Sequence, residues 1–317
     1  MEDCVTVVIP TRNRPQLVVR AVRSALAQTC GVARVVVVVD GPDDATADAL
    51  RDVGDKRIEW LVLPHSGGAN NARNIGAAVS TTEWIAFLDD DDEWLPHKIE
   101  TQLAHAVGVD IVSCRCFAQS SNGTMIWPRR LPAEGMRFGD YLFARRSVFN
   151  GEAAILTSTL MIRKTLFDSM PFSTELRRHQ DADWVIQATS RGARIVYAPE
   201  ALVRFNDDIG RVRISTSYQW RESLEWIRSI RPLLSRQAYA GFVLTSVAPA
   251  ASDKREWREF VSLLWDALVK GRPTLLHLAL YFGMWCVPQH LRQRFRAHLS
   301  SIKVRRPLLI PRPESSK

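Results

Sequence analysis

Residues 84–95 read WIAFLDDDDEWL, so a short apolar run leads directly into four consecutive aspartates, Asp89 to Asp92. The apolar part, residues 84–88, is too short for an ordinary helix and too apolar for a half-exposed strand, so it predicts an inner strand of a parallel sheet. Open α/β sheets bind ligands beyond the carboxyl ends of their strands, where these aspartates fall. Because Mg²⁺ and Mn²⁺ prefer carboxylate oxygens and share them with substrate phosphates, the stretch predicts a metal and phosphate site. The alternative is an acidic loop that is solvated or caps the helix expected near Pro96.

Strands and helices are predicted to alternate on either side of this stretch. The candidate strands cover residues 5–10, 34–39, 58–63, 111–114, 154–162 and 194–197, and the candidate helices begin at Pro15, near Asp43, near Asn70 and at Ala182. This alternation predicts right-handed βαβ units, and therefore an α/β protein with a Rossmann-like, mostly parallel sheet flanked by helices. Beyond Ser217 the apolar residues recur at helical spacing, so we expect a first domain at residues 1–215 and a helical C-terminal region at residues 216–317.

Composition and charge are those of a folded globular protein. The chain has 317 residues, of which 46% are hydrophobic and 24% charged, with a net charge of +8. Residues 267–317 contain ten lysines or arginines against one acid, so the rest of the chain is close to neutral and we expect no nucleic-acid partner. The five cysteines lack the paired spacing of a zinc site, and Met1 to Cys4 lead directly into a strand without the features of a signal peptide. These observations predict a cytoplasmic protein.

Five motifs follow one another along residues 1–215. They read VVIPTRNRP, VVVVDGPDD, ANNARNIGA, FLDDDDEWLP and HQDADW. Their order and approximate spacing resemble glycosyltransferase family 2, whose members have a GT-A fold and transfer sugars from nucleotide donors. The resemblance therefore implies a GT-A sheet, a nucleoside-diphosphate sugar as donor, inversion at the anomeric carbon, and Mg²⁺ or Mn²⁺ as cofactor.

The residues matched to donor binding follow the first predicted strands. Pro10, Thr11 and Asn13 end the first strand, where exposed backbone N–H groups and the start of a helix suit an anionic ligand. By its match to the family, Asp40 is expected to accept a hydrogen bond from the base or ribose, with an Asp-Gly turn as the alternative. Arg73 is expected to supply a fixed positive donor to the base or phosphates, with a surface ion pair as its alternative.

The aspartate run offers two registers for a pair of ligands. Asp89 and Asp91 match the two ends of the family's Asp-X-Asp motif, and Asp92 is a further acid often found there. The resemblance implies that Asp91 binds the metal directly and that Asp89 contacts ribose or reaches the metal through water. Asp90 is grouped with the donor-binding residues. A slip of the register to Asp90 with Asp92 stays open, since alternate side chains of an extended segment share a face.

The motif HQDADW supplies the candidate base. Asp181 takes the place of the family's catalytic aspartate, which accepts the proton of the acceptor hydroxyl. An aspartate near its reference pKa of about 3.9 is ionised at neutral pH, so the pKa of a base here need not be strongly perturbed. Asp183 is the competitor, and it is also suited to cap the following helix. Gln180 replaces the family's glutamate and is expected to affect acceptor recognition.

Weaker matches lie around this motif. Trp184 and Arg211 are assigned to the acceptor or phosphate region, with a mobile basic loop as the alternative for Arg211. Many family members have a histidine after the next strand, and here Asn206 or Asp207 stands in that neighbourhood.

The end of the chain predicts contact with a membrane surface. Residues 274–287 form an apolar run that is shorter than the roughly 20 residues needed to cross a bilayer. Several lysines and arginines follow, so residues 274–306 suit attachment to an anionic membrane, and a lipid-linked acceptor is then expected. The alternative is a core helix beside a solvated basic end.

Together these features predict an inverting glycosyltransferase that moves a sugar to a hydroxyl of a glycan or lipid-linked acceptor, as in bacterial surface polysaccharide or glycolipid biosynthesis. Two other functions stay open. One is a sugar-phosphate nucleotidyltransferase, although the first strand lacks the glycine-rich loop of that chemistry. The other is an inactive subunit that binds a nucleotide or glycan. A dinucleotide-binding oxidoreductase is disfavoured because no GxGxxG motif follows the first strand.

Overall fold

The computed structural model describes residues 4–120, 123–149, 151–206, 220–252 and 257–286. The strands are β1 (Val5–Thr11), β2 (Val32–Val39), β3 (Ile58–Val62), β4 (Trp84–Phe87), β5 (Glu93–Trp94), β6 (Ile111–Ser120), β7 (Gly123–Trp127), β8 (Met161–Arg163) and β9 (Ile195–Phe205). The helices are α1 (Pro15–Leu26), α2 (Asp44–Arg51), α3 (Ala69–Ala78), α4 (Lys98–Ala104), α5 (Phe138–Phe143), α6 (Lys164–Ser169), α7 (Gln180–Ser190), α8 (Trp220–Ser229), α9 (Arg236–Phe242), α10 (Ala248–Ser252), α11 (Trp257–Lys270) and α12 (Leu275–Cys286).

The strands form one mixed sheet in the order β3-β2-β1-β4-β8-β6-β9-β5, with β7 paired to β6. The four N-terminal strands are parallel, and β8 then pairs antiparallel to β4. Because β1 and β4 are neighbours, their carboxyl ends lie side by side, and the residues that follow both strands meet at one edge of the sheet. The α/β class predicted from the alternating pattern is confirmed.

Alternation along β1 places side chains in two cores. Val5, Val7 and Ile9 belong to the core that includes α1, whereas Val8 belongs to the core on the opposite face. Gly76 of α3 sits over that second face, and a Cβ atom built there would lie 2.5 Å from Cγ1 of Val8. The glycine of the ANNARNIGA motif therefore allows α3 to approach β1 closely.

The prediction of a strand at residues 154–162 is mostly wrong. Only β8 is a strand, and it is preceded by a 3₁₀ turn at Thr157–Thr159. Hydroxyl groups explain the difference, because Thr159 donates its Oγ1 hydrogen to the carbonyl of Leu156 at 2.7 Å and Ser158 bonds to the aspartate run. Such local side-chain bonds compete with strand pairing. The strands predicted at 111–114 and 194–197 are present and extend further, as β6 and β9.

The C-terminal helices pack against one face of the sheet. Val8 and Phe87 of the sheet belong to the same hydrophobic core as Trp226 of α8 and Phe242 of α9. Within the predicted apolar run, α12 buries Tyr281, whose hydroxyl donates to the carbonyl of Phe260. Among the described residues, no helix combines the length and the apolar character that a membrane crossing requires. Residues 287–306 lie outside the described part of the chain.

Candidate active site

The four aspartates form a turn between β4 and β5. The backbone N–H of Asp92 donates to the carbonyl of Asp89 at 3.1 Å, so the run is folded back and not extended. The helix that follows, α4, has His97 at its N-cap position, and none of the aspartates caps it. The turn splits the four carboxylates into an inward pair and an outward pair.

Asp90 belongs to the inward pair. Its carboxylate accepts hydrogen bonds from Thr11 Oγ1 at 2.8 Å and from Arg14 Nη1 at 2.9 Å. The residue is buried, and burial raises its pKa, while Arg14 and Thr11 favour the charged form. Asp90 therefore joins the end of β1 to the turn, and its oxygens are already engaged within the protein.

Asp92 completes the inward pair. It is buried, and its carboxylate accepts from Ser158 Oγ at 2.5 Å and from the backbone N–H of Asn206 at 3.2 Å. Burial, with the negative charge of Asp89 added, raises the pKa of Asp92 well above its usual range. Asn206 also donates from Nδ2 to the carbonyl of Asp91 at 2.8 Å. The structure thus places Asn206, which follows β9, at the acidic turn.

Asp89 and Asp91 form the outward pair. Their side chains remain 32% and 29% exposed, respectively, although both belong to the same tight turn. Asp91 has one long contact, at 3.5 Å, with Arg14. Burial and the negative charges of Asp89 and Asp90 raise the pKa of Asp91. The geometry therefore favours the Asp89 and Asp91 register over the Asp90 and Asp92 register as the one open to a ligand.

A divalent cation suits the charge of this turn. Three of the four carboxylates are contacted by two guanidinium groups, those of Arg14 and Arg73, so negative charge is in excess. Hard cations bind carboxylate oxygens and complete their coordination with water and phosphate. No group of three or more His, Cys, Asp or Glu side chains with metal-binding geometry occurs within the described ranges. Asp91 and Asp89 therefore fit a cation that is shared with a phosphate ligand.

Arg73 is buried beneath the outward pair. Its side chain is 4% exposed and donates from Nη2 to Asp89 Oδ1 at 2.5 Å and from Nη1 to Asn70 Oδ1 at 3.0 Å. A surface ion pair, the alternative considered for this residue, is therefore wrong, because the arginine end of the pair is inside the protein. Arg73 is placed to orient the Asp89 carboxylate and to face the same region with positive charge.

Asp40 ends β2 beside this site. Its carboxylate accepts from Ser66 Oγ at 2.7 Å, from the Gly67 N–H at 2.7 Å and from the Gly68 N–H at 3.0 Å. Gly68 has a φ of 88°, which is a conformation that favours glycine. Asp40 therefore shapes the Gly-Gly loop, while its own N–H donates to the carbonyl of Thr11 at 2.8 Å.

The segment after β1 is tied to the same loops. Pro10 is buried within β1 and Thr11 is its last residue. Asn13 has a φ of 53°, and its N–H donates to Asp43 Oδ2 at 2.9 Å. Asn13 is exposed, as expected, but its N–H already donates to Asp43. Arg12, by contrast, reaches Ser66 Oγ at 2.9 Å and closes the gap between the two loops.

Asp181 lies in the first turn of α7 and faces the acidic turn. Its Oδ1 accepts from the backbone N–H of Ala182 at 2.8 Å. Burial raises the pKa of Asp181 to about 6, the negative charge of Asp89 adds to the shift, and the Ala182 N–H and the charge of Arg73 oppose it. The sequence did not require this shift of the pKa. The mutual electrostatic influence places Asp181 on the same side of the molecule as Asp89 and Arg73.

Asp183 is turned away from this site. It is buried and accepts from Trp226 Nε1 and Gln187 Nε2, both at 2.8 Å. The bond from Trp226 connects α7 to α8, and the bond from Gln187 lies within α7, between successive turns. The helix-capping alternative for Asp183 is wrong, since His179 occupies the N-cap position of α7 and Asp183 lies inside the helix.

The weaker site predictions have mixed outcomes. Trp184 is 3% exposed, packs against Phe167 and Phe172, and donates to the carbonyl of Met170, so it is a core residue and not an acceptor contact. Gln180 is the first residue of α7, directly before Asp181. Arg211 and Asp207 lie outside the described residues.

His179 has a structural role that the sequence did not indicate. It precedes α7 with a φ of 60°, stacks on Trp226 with ring centroids 4.4 Å apart, and bonds through Nε2 to Ser223 Oγ at 2.8 Å. Burial and the nearby Arg178 lower its pKa to about 4, so the ring is neutral at pH 7. His179 therefore holds a strained backbone immediately before the candidate base. Its contacts lie on α8, which no local pattern could reveal.

The chain matches the family model "Glycosyl transferase family 2" over residues 6–170, which include β1, the Asp40 loop and the acidic turn. The protein belongs to glycosyltransferase family 2. The familial resemblance drawn from the five motifs is thereby confirmed. Asp181 lies beyond the matched segment, so its role as a base is not covered by the match.

Relatives of this family 2 glycosyltransferase include the succinoglycan biosynthesis protein ExoO of Rhizobium meliloti, which is 37% identical over 109 residues. That alignment covers 34% of this chain and 31% of ExoO. Among solved structures, Staphylococcus aureus TarS 1–349 in complex with UDP-GlcNAc aligns with a TM-score of 0.60 at 18% identity, over 93% of this chain and 92% of the other. The mannosyltransferase PcManGT from Pyrobaculum calidifontis, in complex with GDP-Man and Mn²⁺, aligns with a TM-score of 0.60 at 16% identity, over 95% and 86%. These likenesses support the GT-A-like fold.

Proposed function

We propose that this family 2 glycosyltransferase moves a sugar from a nucleoside-diphosphate sugar to a hydroxyl group, with inversion at the anomeric carbon. The observation that carries the proposal is that the charges of Arg73 and Asp89 both act on the pKa of Asp181, which supports a common space for the candidate base and the outward carboxylates. A donor bound at the acidic turn would then present its anomeric carbon to an acceptor held near α7.

Asp181 acts as the base in this proposal. As the acceptor oxygen attacks the anomeric carbon, Asp181 takes the hydroxyl proton, a new carbon–oxygen bond forms, and the bond to the diphosphate oxygen breaks. The raised pKa of about 6 suits this step, since a base with a pKa near the working pH accepts the proton more readily while remaining ionised at pH 7. Asp183 is excluded from this role by its bonds to Trp226 and Gln187.

Asp91 and Asp89 would hold Mg²⁺ or Mn²⁺, with Asp91 as the main ligand. When bound, such a cation supplies Lewis-acid stabilisation of the charge on a departing diphosphate. Arg73 keeps Asp89 in place through its buried ion pair, and Arg14 holds Asp90 out of the ligand space. The proposed cofactor draws support from the charge excess of the turn and from the Mn²⁺ named for PcManGT.

The donor nucleotide is proposed to lie along the carboxyl ends of β1 and β2. Thr11, Asp40 and the Gly-Gly loop are joined there by hydrogen bonds, and Arg12 adds a cation. The solved structures of TarS and PcManGT contain UDP-GlcNAc and GDP-Man, respectively, which supports a nucleotide-sugar donor. The acceptor is proposed to be a glycan or a lipid-linked sugar, in keeping with the polysaccharide named for ExoO.

A donor panel tests the proposal. The purified protein is incubated with UDP-, GDP- and dTDP-sugars, Mn²⁺ or Mg²⁺, and glycan and lipid-linked acceptors, and nucleoside diphosphate and pyrophosphate are measured separately. We expect release of nucleoside diphosphate that requires acceptor and is lost in Asp181→Asn. Release of pyrophosphate would instead indicate a nucleotidyltransferase. Binding of a donor without any turnover would indicate an inactive binding subunit.

A further inference from the structure

Helix α11 carries an apolar stripe on its solvent-facing side. Its members recur at helical spacing and are large side chains with relative exposures of 48% to 68%: Trp257, Val261, Trp265, Leu268 and Val269. Arg258 and Ser262 are the other exposed residues of the helix. Contiguous apolar surface of this kind marks a contact with another molecule, since monomeric proteins rarely leave it in water.

The acidic residues of α11 are neutralised on its other sides. Glu259 accepts from Arg221 Nη2 at 2.7 Å. Asp266 is buried and accepts from Arg228 Nη2 at 2.6 Å and from Lys270 Nζ at 2.5 Å. Among the described residues of α11, the exposed face therefore carries the apolar stripe and Arg258 but no unpaired acid. Such a face favours contact with an anionic surface.

A basic cavity adjoins the C-terminal end of α11. It has a volume of about 350 Å³ and is lined by Arg231, Arg236 and Tyr239, and by Arg228, whose charge is paired with Asp266. Arg236 donates from Nη2 to the carbonyl of Gly271 at 3.2 Å and accepts at its own carbonyl from the Arg272 N–H at 2.9 Å. These bonds fix the cavity next to the end of the apolar stripe, and guanidinium groups suit phosphate.

We propose that the α11 stripe and this basic cavity form a surface that lies on a membrane containing anionic phospholipid. Tryptophan prefers the boundary between apolar chains and polar headgroups, and arginines beside it are attracted to anionic lipid. A helix with one such face lies in the plane of the interface without crossing it. Beyond residue 286 the sequence adds eight lysines or arginines against Glu314, which increases the same attraction.

This surface differs from the one that the sequence predicted. The apolar run at residues 274–287 indicated the membrane contact, and its helix α12 buries His277 and Tyr281 while it leaves Leu275 and Phe282 exposed. The most exposed aromatic residues lie on α11, where Trp257 and Trp265 have relative exposures of 67% and 68%, against 42% for Phe282 of α12. The inference deepens the proposed function, since a membrane-bound enzyme would meet a lipid-linked acceptor, but it does not depend on turnover.

Vesicle flotation tests the inference with the full chain. The vesicles contain phosphatidylglycerol and phosphatidylcholine in equal parts, or phosphatidylcholine alone. Val261→Asp places a charge in the stripe, and Val107→Asp is the matched control, because Val107 is 90% exposed and lies in the turn that follows α4. We expect Val261→Asp to lower binding to the anionic vesicles about tenfold and the control to bind like the unmodified protein. Arg258→Gln should weaken binding about fivefold, with the remaining affinity falling as salt is added.

Three results would overturn the inference. In the first, the unmodified protein binds both kinds of vesicle equally or binds neither kind. In the second, Val261→Asp binds as the unmodified protein does, which would assign binding to another segment. Light scattering could also show a dimer that Val261→Asp dissociates, which would make the stripe an interface between copies of the chain. Trp265→Gln serves as a second variant, and thermal unfolding verifies that each variant is folded. Asp181→Asn should float normally, so failure of the proposed glycosyl transfer would be seen separately.

Discussion

Trp226 donates its indole N–H to Asp183 at 2.8 Å, across the boundary between α8 and α7. This bond separates two aspartates that are equivalent in the motif HQDADW. Asp183 lies two residues further along α7, a rotation of about 200°, and is buried in the protein interior, while the charges of Arg73 and Asp89 act on Asp181. Substitution of Asp183 should therefore affect mainly stability, and substitution of Asp181 should affect mainly turnover.

We predict that Asp183→Ala destabilises the protein by about 2–4 kcal/mol, because Trp226 Nε1 and Gln187 Nε2 lose their buried acceptor. Urea unfolding measures the change. Turnover per folded molecule should fall less than in Asp181→Asn, where loss of a general base costs about 10²–10⁴-fold. Equal stability of Asp183→Ala and the unmodified protein would contradict this assignment.

The pKa of Asp181 predicts a pH dependence of turnover. Its ionised form is the base, and the pKa is raised to about 6, so the rate should rise about tenfold per pH unit below that value and level off above it. Turnover at saturating donor and acceptor, measured across this range, gives the profile. A rate that stays constant between pH 5 and about 7 would show that another group, or none, accepts the proton.

The same pKa shift predicts that Asp181 lowers the stability of the free enzyme. The folded-state pKa of about 6 exceeds the value of 3.8 for a free aspartate, so the folded protein binds more protons between these values and stability falls as pH rises. At pH 7 the cost is of order 1–3 kcal/mol. Asp181→Asn should therefore raise the unfolding free energy at pH 7, and this gain should vanish below pH 4. A loss of stability at pH 7 would contradict the shift.

Local sequence predicted the parallel half of the fold well. In β1, β2 and β4 the apolar runs are short and bounded by polar turns, so each strand could be recognised on its own. The segment before β8 was mistaken for strand because Ser158 and Thr159 resemble strand residues in composition. Their hydroxyls are instead bonded to Asp92 and to Leu156, and one of these partners is 66 residues away.

The site shows the same limit. The aspartate run and Asp181 were recognisable as motifs, but the division into inward and outward carboxylates depends on Thr11, Ser158 and Asn206. These partners are remote in sequence and adjacent in space. The long-range bond of Trp226 likewise engages the carboxylate of Asp183 and not that of Asp181. Sequence could therefore supply the candidate acids, while only tertiary contacts could assign their orientations.

The inward and outward carboxylates should be separable by mutation. Asp91→Asn should reduce turnover on the order of a hundredfold and weaken the response to Mn²⁺, with little change in unfolding, since its carboxylate has one long contact at 3.5 Å. Asp92→Ala should instead destabilise the fold by about 2–4 kcal/mol, because Ser158 and the Asn206 N–H lose a buried acceptor. Metal titration beside urea unfolding distinguishes the two. Loss of metal response only in Asp92→Ala would reverse the proposed register.

Arg73 offers a test of positioning without removal of charge. Arg73→Lys keeps a cation, but one ammonium group cannot reproduce the fork that contacts both Asn70 and Asp89. We expect turnover to fall about 10–100-fold, because a small displacement of the Asp89 carboxylate misplaces the donor. Arg34→Lys is the matched control, since Arg34 pairs with Glu59 on the surface, where an ion pair contributes about 0–1 kcal/mol. Similar kinetics for the two variants would mean that the orientation of Asp89 does not limit the reaction.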